Sequence, residues 1–234
     1  MTTNPTESNR PLRSFERMLK GGLGAGHVGA IVSPHGTGKN AILTSIAIDQ
    51  AMAGNAVLHV AVGKSVSDVR AYHDEILTMI EVSIAATDRA DLLTKVERHS
   101  QIYTYRSGQF DLAKLTQSLQ FLAQHAEFRP KTIMFQGWPD LAQLKTDELA
   151  QLGRIAKEHQ CEIWLALHTS KDGAVDAQGL PAGFSALMEH LEVVVTLGTE
   201  GKTVPIRFVK VHEGPGPAGA RLEFDPTTML IRWH

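Results

Sequence analysis

The chain has 234 residues, of which 43% are hydrophobic and 21% are charged, and these proportions are typical of a globular domain rather than a disordered chain. The 23 lysines and arginines nearly balance 25 aspartates and glutamates, so the formal net charge of -2 gives no support for nucleic-acid binding through bulk charge. A single cysteine, Cys161, fits a reducing compartment. No apolar run approaches the ~20 residues that a membrane helix needs, so we expect a cytoplasmic protein without a membrane partner.

Residues 1–14 are polar and contain two prolines, which predicts a flexible N-terminal arm, and residues 15–234 are predicted to form a single domain. Apolar runs and helical spacing then alternate along the chain. Strands are predicted at 28–32, 56–62, 102–105, 132–135 and 162–167, and helices at 39–52, 65–93, 112–125 and 146–158. Further strand-like runs follow at 192–197, 204–211, 221–224 and 229–233, separated by turns rich in glycine and proline.

This alternation predicts an α/β protein with three layers, in which a mostly parallel central sheet lies between helices. The C-terminal runs predict antiparallel strands that close one edge of the sheet. In sheets of this kind, ligands bind at the carboxyl ends of the strands. The turns that follow the predicted strands are therefore where functional residues are expected.

The most informative segment is Ser33-Pro34-His35-Gly36-Thr37-Gly38-Lys39-Asn40, a near match to the phosphate-loop pattern G-x-x-x-x-G-K-[ST]. It lies between a predicted strand and a predicted helix, as the mechanism of such loops requires. Glycines allow backbone N–H groups to turn toward phosphate oxygens, the helix N-terminus adds positive potential, and Lys39 supplies a mobile cation. Ser33 replaces the first glycine, and Asn40 replaces the hydroxyl residue that would bind Mg²⁺.

With this loop, the chain resembles the RecA-like P-loop ATPases, especially the branches that contain the DnaB helicase and the clock protein KaiC. The glycine-rich segment 21–27 is similar to the lead-in of that family; because it precedes the first strand, it does not fit a dinucleotide-binding fingerprint. Segments that resemble the family's second strand, Walker B strand, sensor strand and K-x-R segment follow in the same order, and the resemblance covers about residues 15–233. It implies a RecA-like fold.

The resemblance also assigns roles to individual residues. It implies that the nucleotide is bound by residues of the loop and by Arg70, which matches the arginine that packs on adenine, and that His168 holds the polar sensor position. The implied nucleotide-binding set is Ser33, Pro34, His35, Gly36, Thr37, Gly38, Lys39, Asn40, Ala41 and Arg70. ATP or ADP is the implied ligand. Lys210 is implied to act on the nucleotide of a neighbouring subunit, because family members commonly form rings or filaments.

Four positions depart from the family, and all of them carry groups that hydrolysis needs. Asn40 replaces a Mg²⁺ ligand, Gln136 replaces the Walker B aspartate, Gly63 replaces the catalytic glutamate, and His212 replaces the arginine that reaches a neighbour's γ-phosphate. A general base contributes about 10²- to 10⁴-fold to the rate and an arginine finger about 10³- to 10⁵-fold. Asn40 and Gln136 could still offer amide oxygens to Mg²⁺, but neutral oxygens hold it less firmly than a carboxylate does.

We therefore expect a nucleotide-binding protein with weak or absent hydrolysis, acting as a sensor or assembly component. Two alternatives stay open. One is an active, DNA-linked ATPase that uses a substitute group such as Asp140 or a carboxylate from the Tyr72-His73-Asp74-Glu75 region. The loop after the sensor strand carries one lysine and two aspartates, which argues against a DNA-facing role. The other is an interaction module that has lost nucleotide binding because Pro34 and His35 close the phosphate pocket.

Overall fold

Branched apolar residues form the strands in the middle of a large β-sheet. The computed structural model describes residues 12–82, 89–170, 173–198, 201–217, 219 and 222–233. The strands are β1 (Val28–Ser33), β2 (Val57–Val62), β3 (Ser100–Tyr105), β4 (Thr132–Gln136), β5 (Glu162–His168), β6 (Val193–Leu197), β7 (Val204–Val211), β8 (Gly214–Pro215), β9 (Leu222–Asp225) and β10 (Leu230–Trp233). Strands β1, β2 and β6 are buried along their whole length, as expected for strands covered on both faces.

The ten strands form one sheet in the order β10-β9-β7-β6-β1-β5-β4-β2-β3, with β8 paired to β7. Pairing is parallel from β3 to β6, and it is antiparallel between β6, β7, β9 and β10. The predicted α/β class is therefore confirmed, with a mostly parallel central sheet and antiparallel C-terminal strands at one edge.

Helices cover both faces of this sheet. In the described residues they are α1 (Arg13–Met18), α2 (Lys39–Met52), α3 (Val66–Val82), α4 (Arg89–His99), α5 (Leu112–His125), α6 (Thr146–His159) and α7 (Ser185–Met188). Buried residues of α1 to α4 form one apolar cluster with the sheet, and those of α5 to α7 form a second cluster on the other face. Side chains that alternate along a strand supply both clusters, as Ile31 and Val32 do in β1. No helix within the described ranges is long and apolar enough to cross a membrane.

Most of the predicted elements are observed, but one predicted helix is divided in two. Helix α5 and strand β7 have the predicted bounds, but the helix predicted at 65–93 is not continuous: α3 ends at Val82 and α4 spans Arg89–His99. Residues 83–88 lie outside the described residues. Helix α4 has its own buried apolar stripe, formed by Leu92 and Val96, which packs in the same cluster as α2. Periodicity alone did not separate two successive amphipathic helices.

The N-terminal boundary also differs from the expected one. Residues 1–11 lie outside the described residues, but Leu12 is buried and α1 begins at Arg13, inside the segment assigned to the arm. Leu12, Phe15 and Leu19 follow helical spacing and are all buried. The Phe15 ring lies 5.4 Å from the ring of Phe208 and 6.1 Å from that of Trp164, measured between centroids. The first helix is thus part of the core, because this apolar stripe has a partner surface on the sheet.

Truncation of Phe15 tests whether α1 belongs to the folded core. We expect Phe15→Ala to lower the free energy of unfolding by about 3 to 5 kcal/mol, because the ring is buried among aromatic residues. The matched control is Phe121→Ala, since Phe121 is 56% exposed on α5 and should contribute under about 1 kcal/mol. Denaturant unfolding monitored by circular dichroism measures both variants. Equal losses would contradict a core position for α1.

Candidate functional site

The parallel strands bring the ends of four predicted motifs to one edge of the sheet. Ser33 at the end of β1 pairs with His168 at the end of β5, and Gln136 ends β4 opposite Ala61 of β2. Gly63 directly follows β2. Because β1, β5, β4 and β2 are neighbours in the sheet, these positions form a continuous row. Motifs that are separate in the sequence therefore lie side by side at the carboxyl ends of these strands.

The segment 33–38 forms the predicted turn between β1 and α2. Gly36 and Gly38 have φ values of 78° and 95°, a backbone region in which glycine is favoured. The hydroxyl oxygens of Ser33 and Thr37 lie 2.5 Å apart, and Thr37 Oγ1 donates to the carbonyl of Pro34 at 2.9 Å. Ser33 is buried, so the residue that replaces the first glycine braces the turn from inside.

Lys39 begins α2 and points its ammonium group back into the turn. The residue is only 2% exposed, and its Nζ donates to the carbonyl oxygen of Pro34 at 2.7 Å. Burial lowers the pKa of Lys39 to about 8, since a charged ammonium group loses hydration inside the protein. The group is held by one neutral carbonyl. An anion in the adjacent cavity would offer it a stronger, charge-assisted hydrogen bond.

A C-terminal strand completes the site from the far side. Phe224 of β9 is buried against Gly38, where a Cβ atom would overlap its ring. The sequence pattern predicts β9 as one of the strands at the edge of the sheet and does not indicate that it lies at the turn. The alternation of buried Leu222 and Phe224 around Glu223 indicated that these side chains face inward, but it did not indicate what they contact.

Two cavities open beside the turn, and each has a volume of about 260 Å³. The first, here called the loop cavity, is lined by His35, Gly36, Thr37, Gly38, Lys39, Asn40, Tyr72, His168, Phe224, Pro226 and Met229. The second, here called the amide cavity, is lined by Asn40, Lys64, Asp68, Val69, Tyr72 and Gln136. The two share Asn40 and Tyr72, and together they reach the size range of ~300–1,000 Å³ that is usual for small-molecule sites.

Two histidines stack on each other at the wall of the loop cavity. The rings of His35 and His168 are 3.8 Å apart and nearly parallel, with an angle of 12° between their planes. The pKa of His168 is lowered to about 4, chiefly by burial and further by the charge of Lys39 and by His35, while Asp140 acts in the opposite direction. His168 is therefore neutral near pH 7, and its buried Nδ1 has no hydrogen-bond partner among the described residues.

Asn40 and Gln136, the two positions that the resemblance predicts for Mg²⁺, do not fit a carboxylate-held magnesium site. Within the part of the chain that the structure describes, Asn40 Oδ1 is buried without a hydrogen-bond partner. Gln136 is half-buried at the amide cavity, so both residues offer neutral oxygens. The carboxylate that lines this cavity, Asp68, accepts a hydrogen bond from Ser65 N at 3.2 Å at the start of α3. Mg²⁺ is usually bound by one or two carboxylates together with phosphates.

The carboxylate of Asp140 does not take the Walker B role in this arrangement. Strand β4 ends at Gln136 in the predicted register, and Asp140 is exposed, with Oδ1 accepting from Ala142 N at 3.1 Å. Asp140 is not among the residues that line either cavity. Among the residues the structure describes, no group of three or more His, Cys, Asp or Glu side chains could hold a metal ion.

A buried histidine pair fixes α3 to the sheet beneath the site. His59 Nδ1 of β2 and His73 Nε2 of α3 are 2.8 Å apart. The pKa of His59 is lowered to about 3 by burial and by His73, opposed by the nearby Gln136 side chain, and burial lowers the pKa of His73 to about 4. The pair is neutral near pH 7. It anchors the turn of α3 that carries Tyr72 into both cavities.

Gly63 and Arg70 are not found among the cavity residues. Gly63 N donates to Tyr105 O at 2.8 Å, and a Cβ atom at Gly63 would lie 2.6 Å from Ser107 Oγ. Close packing against the neighbouring loop therefore accounts for a glycine here. Arg70 is exposed on α3, and Tyr72 of the same helix is the residue that reaches the cavities. A role for Arg70 at adenine stays a prediction, whereas Ala41 is buried in the first turn of α2.

Lys210 and His212 have partners within their own chain. Lys210 Nζ donates to the carbonyls of Met188 and Leu191 at 2.9 and 2.7 Å, which ties β7 to the end of α7. His212 lies 3.0 Å from Glu192 Oε1 and 2.9 Å from Leu19 O through its two ring nitrogens. Both side chains are thus hydrogen-bonded to residues of the same chain. Action on a neighbour's nucleotide would require them to be released.

The loop after β5 is organised by an aspartate. Asp176 Oδ1 accepts from Gln178 N and Leu180 N, and Thr196 Oγ1 donates to Gln178 O at 2.6 Å. Two of the three charged residues counted in this loop, Lys171 and Asp172, lie outside the described residues. The third charged residue is Asp176, which stabilises the turn by accepting these hydrogen bonds.

Comparison with known protein families finds none whose pattern matches this chain, and comparison with curated protein sequences finds no significant relative. The chemistry of the site is therefore argued from its geometry.

Substitution at Gly38 tests the contact between the turn and β9. We expect Gly38→Ala to unfold at a lower temperature than Gly36→Ala, because both residues have positive φ but only Gly38 lies against a ring, that of Phe224. Strain of the left-handed backbone costs about 1–2 kcal/mol at each position, and overlap with the ring adds about 1–3 kcal/mol at Gly38.

The same pair is then compared in a Phe224→Ala background, which removes the ring. There the two glycine substitutions should cost nearly the same free energy of unfolding. An unchanged difference between them in that background would contradict the packing described here.

Proposed function

We propose that this chain is a RecA-like nucleotide-binding protein with weak or no hydrolysis, which acts as a sensor or assembly component. It binds the phosphate tail of ATP or ADP at the turn 33–38. The observation that carries this proposal is a buried lysine, Lys39, at the start of a helix, next to an open cavity at the carboxyl ends of parallel strands.

Binding is supported by three features that act on the same anion. The glycine-rich turn leaves backbone N–H groups available at the start of α2, a helix of 14 residues whose N-terminus carries partial positive charge. Lys39 adds a full charge with one weak partner, the carbonyl of Pro34. The loop cavity lies directly against this group. His35 is exposed and stacks on His168, so it lines the cavity without filling it.

Weak hydrolysis is supported by the residue types along the strand ends. Gly63 has no side chain that could activate water, and the Gln136 amide is neutral. Loss of a general base and of an arginine finger would reduce turnover by about 10⁵-fold or more if the contributions multiplied, although such effects are rarely additive. Binding does not depend on these groups. A protein of this kind would change its interactions on binding a nucleotide and would reset by release.

The RecA-like assignment rests on the order of the motifs and on the sheet that carries them. The phosphate-loop strand β1 lies between β5 and β6, and the candidate sensor, Walker B and second strands follow outward in the sequence β5, β4 and β2. Rings or filaments, and a location in the cytoplasm, belong to the same proposal. The internal partners of Lys210 and His212 indicate that a trans-acting role for them would need a rearrangement on assembly.

Calorimetric titration of the purified protein with ATP and with ADP tests binding, with and without Mg²⁺. We expect both nucleotides to bind, and we expect Lys39→Ala to weaken binding about 10- to 100-fold, because a charge-assisted hydrogen bond is lost. The matched control is Lys95→Ala, since Lys95 lies on α4 in an exposed ion pair with Asp91. That variant should bind as the wild type does.

Steady-state ATPase assays on the same proteins test the second half of the proposal. We expect turnover near background. A turnover typical of active family members that Lys39→Ala abolishes would contradict the loss of hydrolysis, and stimulation by DNA would favour the DNA-linked ATPase. Absence of binding to both nucleotides would overturn the proposal in favour of an interaction module.

A further inference from the structure

The loop cavity holds more groups able to carry positive charge than phosphate binding by Lys39 requires. His35 lies on the turn and His168 ends β5, and their rings stack at 3.8 Å against the same cavity as Lys39. The Nδ1 atom of His168 is buried, and no described residue is its hydrogen-bond partner. Simultaneous positive charge on both rings is disfavoured, because two adjacent cations repel each other.

The site has less positive charge than a bound phosphate tail requires, and the histidine pair can supply part of it. A triphosphate tail carries several negative charges, which a divalent cation commonly offsets in phosphate-binding sites. Here the two metal positions are the neutral amides Asn40 and Gln136, and the nearby carboxylate of Asp68 accepts a hydrogen bond from the start of α3. Lys39 alone leaves most of the phosphate charge uncompensated. A proton on an imidazole beside Lys39 would supply part of the missing charge.

We propose that the loop cavity binds the metal-free form of a nucleotide's phosphate tail and takes up one proton from solvent onto the stacked pair of His35 and His168. This inference rests on the function proposed above. It gives His35, a residue outside the pattern of fixed phosphate-loop positions, a role in charge compensation beyond its place in the turn, and it replaces a bound cation by an imidazolium. The proton goes to a ring nitrogen, and no covalent bond to the nucleotide is made or broken.

The charges around His168 determine the direction of the effect. Lys39 of α2 and His35 of the turn disfavour its protonation, and Asp140 after β4 favours it. The other elements at the cavity contribute Tyr72 from α3 and the uncharged residues Phe224, Pro226 and Met229. In the free protein the pKa of His168 is about 4. A bound anion offsets the charge of Lys39 and adds its own negative charge, so it raises that pKa.

The sign of the pH dependence follows from this linkage. A group whose pKa is higher in the complex binds its proton together with the ligand, so affinity rises as the pH falls below the pKa of the complex. The gain levels off near pH 4, where free His168 is itself protonated. Measurements below about pH 7.5 keep Lys39, with its pKa of about 8, mostly charged.

The test is calorimetric titration with ATP in the presence of EDTA, at about pH 6 and at about pH 7.5, in buffers that differ in ionisation enthalpy. His35→Gln and His168→Gln are compared with the wild type and with His125→Gln, a control on the exposed face of α5. Thermal unfolding confirms that each variant is folded. Protonation of ATP itself is common to all four proteins, so the difference between them isolates the stacked pair.

We expect the wild type and the His125 variant to bind ATP without Mg²⁺ and to take up more protons per ATP than the other two variants, with a difference that approaches one. The affinity advantage of the wild type over His168→Gln should grow by up to about tenfold for each pH unit of acidification. Equal proton uptake in all four proteins, or binding that requires Mg²⁺, would overturn this inference and leave nucleotide binding intact. Absence of ATP binding under every condition would overturn the proposed function as well.

Discussion

The structure at this site depends on a cation that is kept inside the protein by one hydrogen bond. Lys39 is almost fully buried, and its ammonium group has the carbonyl of Pro34 as its hydrogen-bond partner. The turn holds the Lys39 ammonium group in this position. Gly36 and Gly38 give the required backbone geometry, and the hydroxyls of Ser33 and Thr37 contact each other inside the turn. A buried charge with one neutral partner is costly, and an anionic ligand is the species that would relieve this cost.

The rest of the site separates the binding of an anion from its cleavage. Backbone groups, a helix N-terminus and Lys39 are sufficient to hold phosphate, and they depend on strand–turn–helix geometry more than on particular side chains. Cleavage depends on particular side chains. The candidate positions at the strand ends carry Gly63 and Gln136, and His212 is bonded to Glu192 and Leu19 at the opposite end of the sheet. The strand–turn–helix geometry that the proposed binding needs is thus present, while the positions that the resemblance assigns to cleavage are neutral or bonded within the chain.

The sequence predicted the α/β class, the parallel order of motifs and the turn at 33–38, because these depend on local periodicity and on glycines at fixed spacing. It did not predict that Phe224 packs on Gly38 or that His35 stacks on His168, since both contacts join residues that are far apart in the chain. The burial of Leu12 was missed because the surrounding prolines and polar residues resemble an arm. The partners of Lys210 within the chain could not be predicted either, because a lysine that donates to backbone carbonyls leaves no pattern in the sequence.

The most direct test of the central claim is a crystal structure of the chain grown with ATP, because it locates the ammonium group of Lys39. We predict that the phosphate tail lies in the turn 33–38 and that Lys39 Nζ donates to a phosphate oxygen instead of the carbonyl of Pro34. A nucleotide bound elsewhere, or a turn that excludes the phosphates with Nζ still on Pro34, would contradict it.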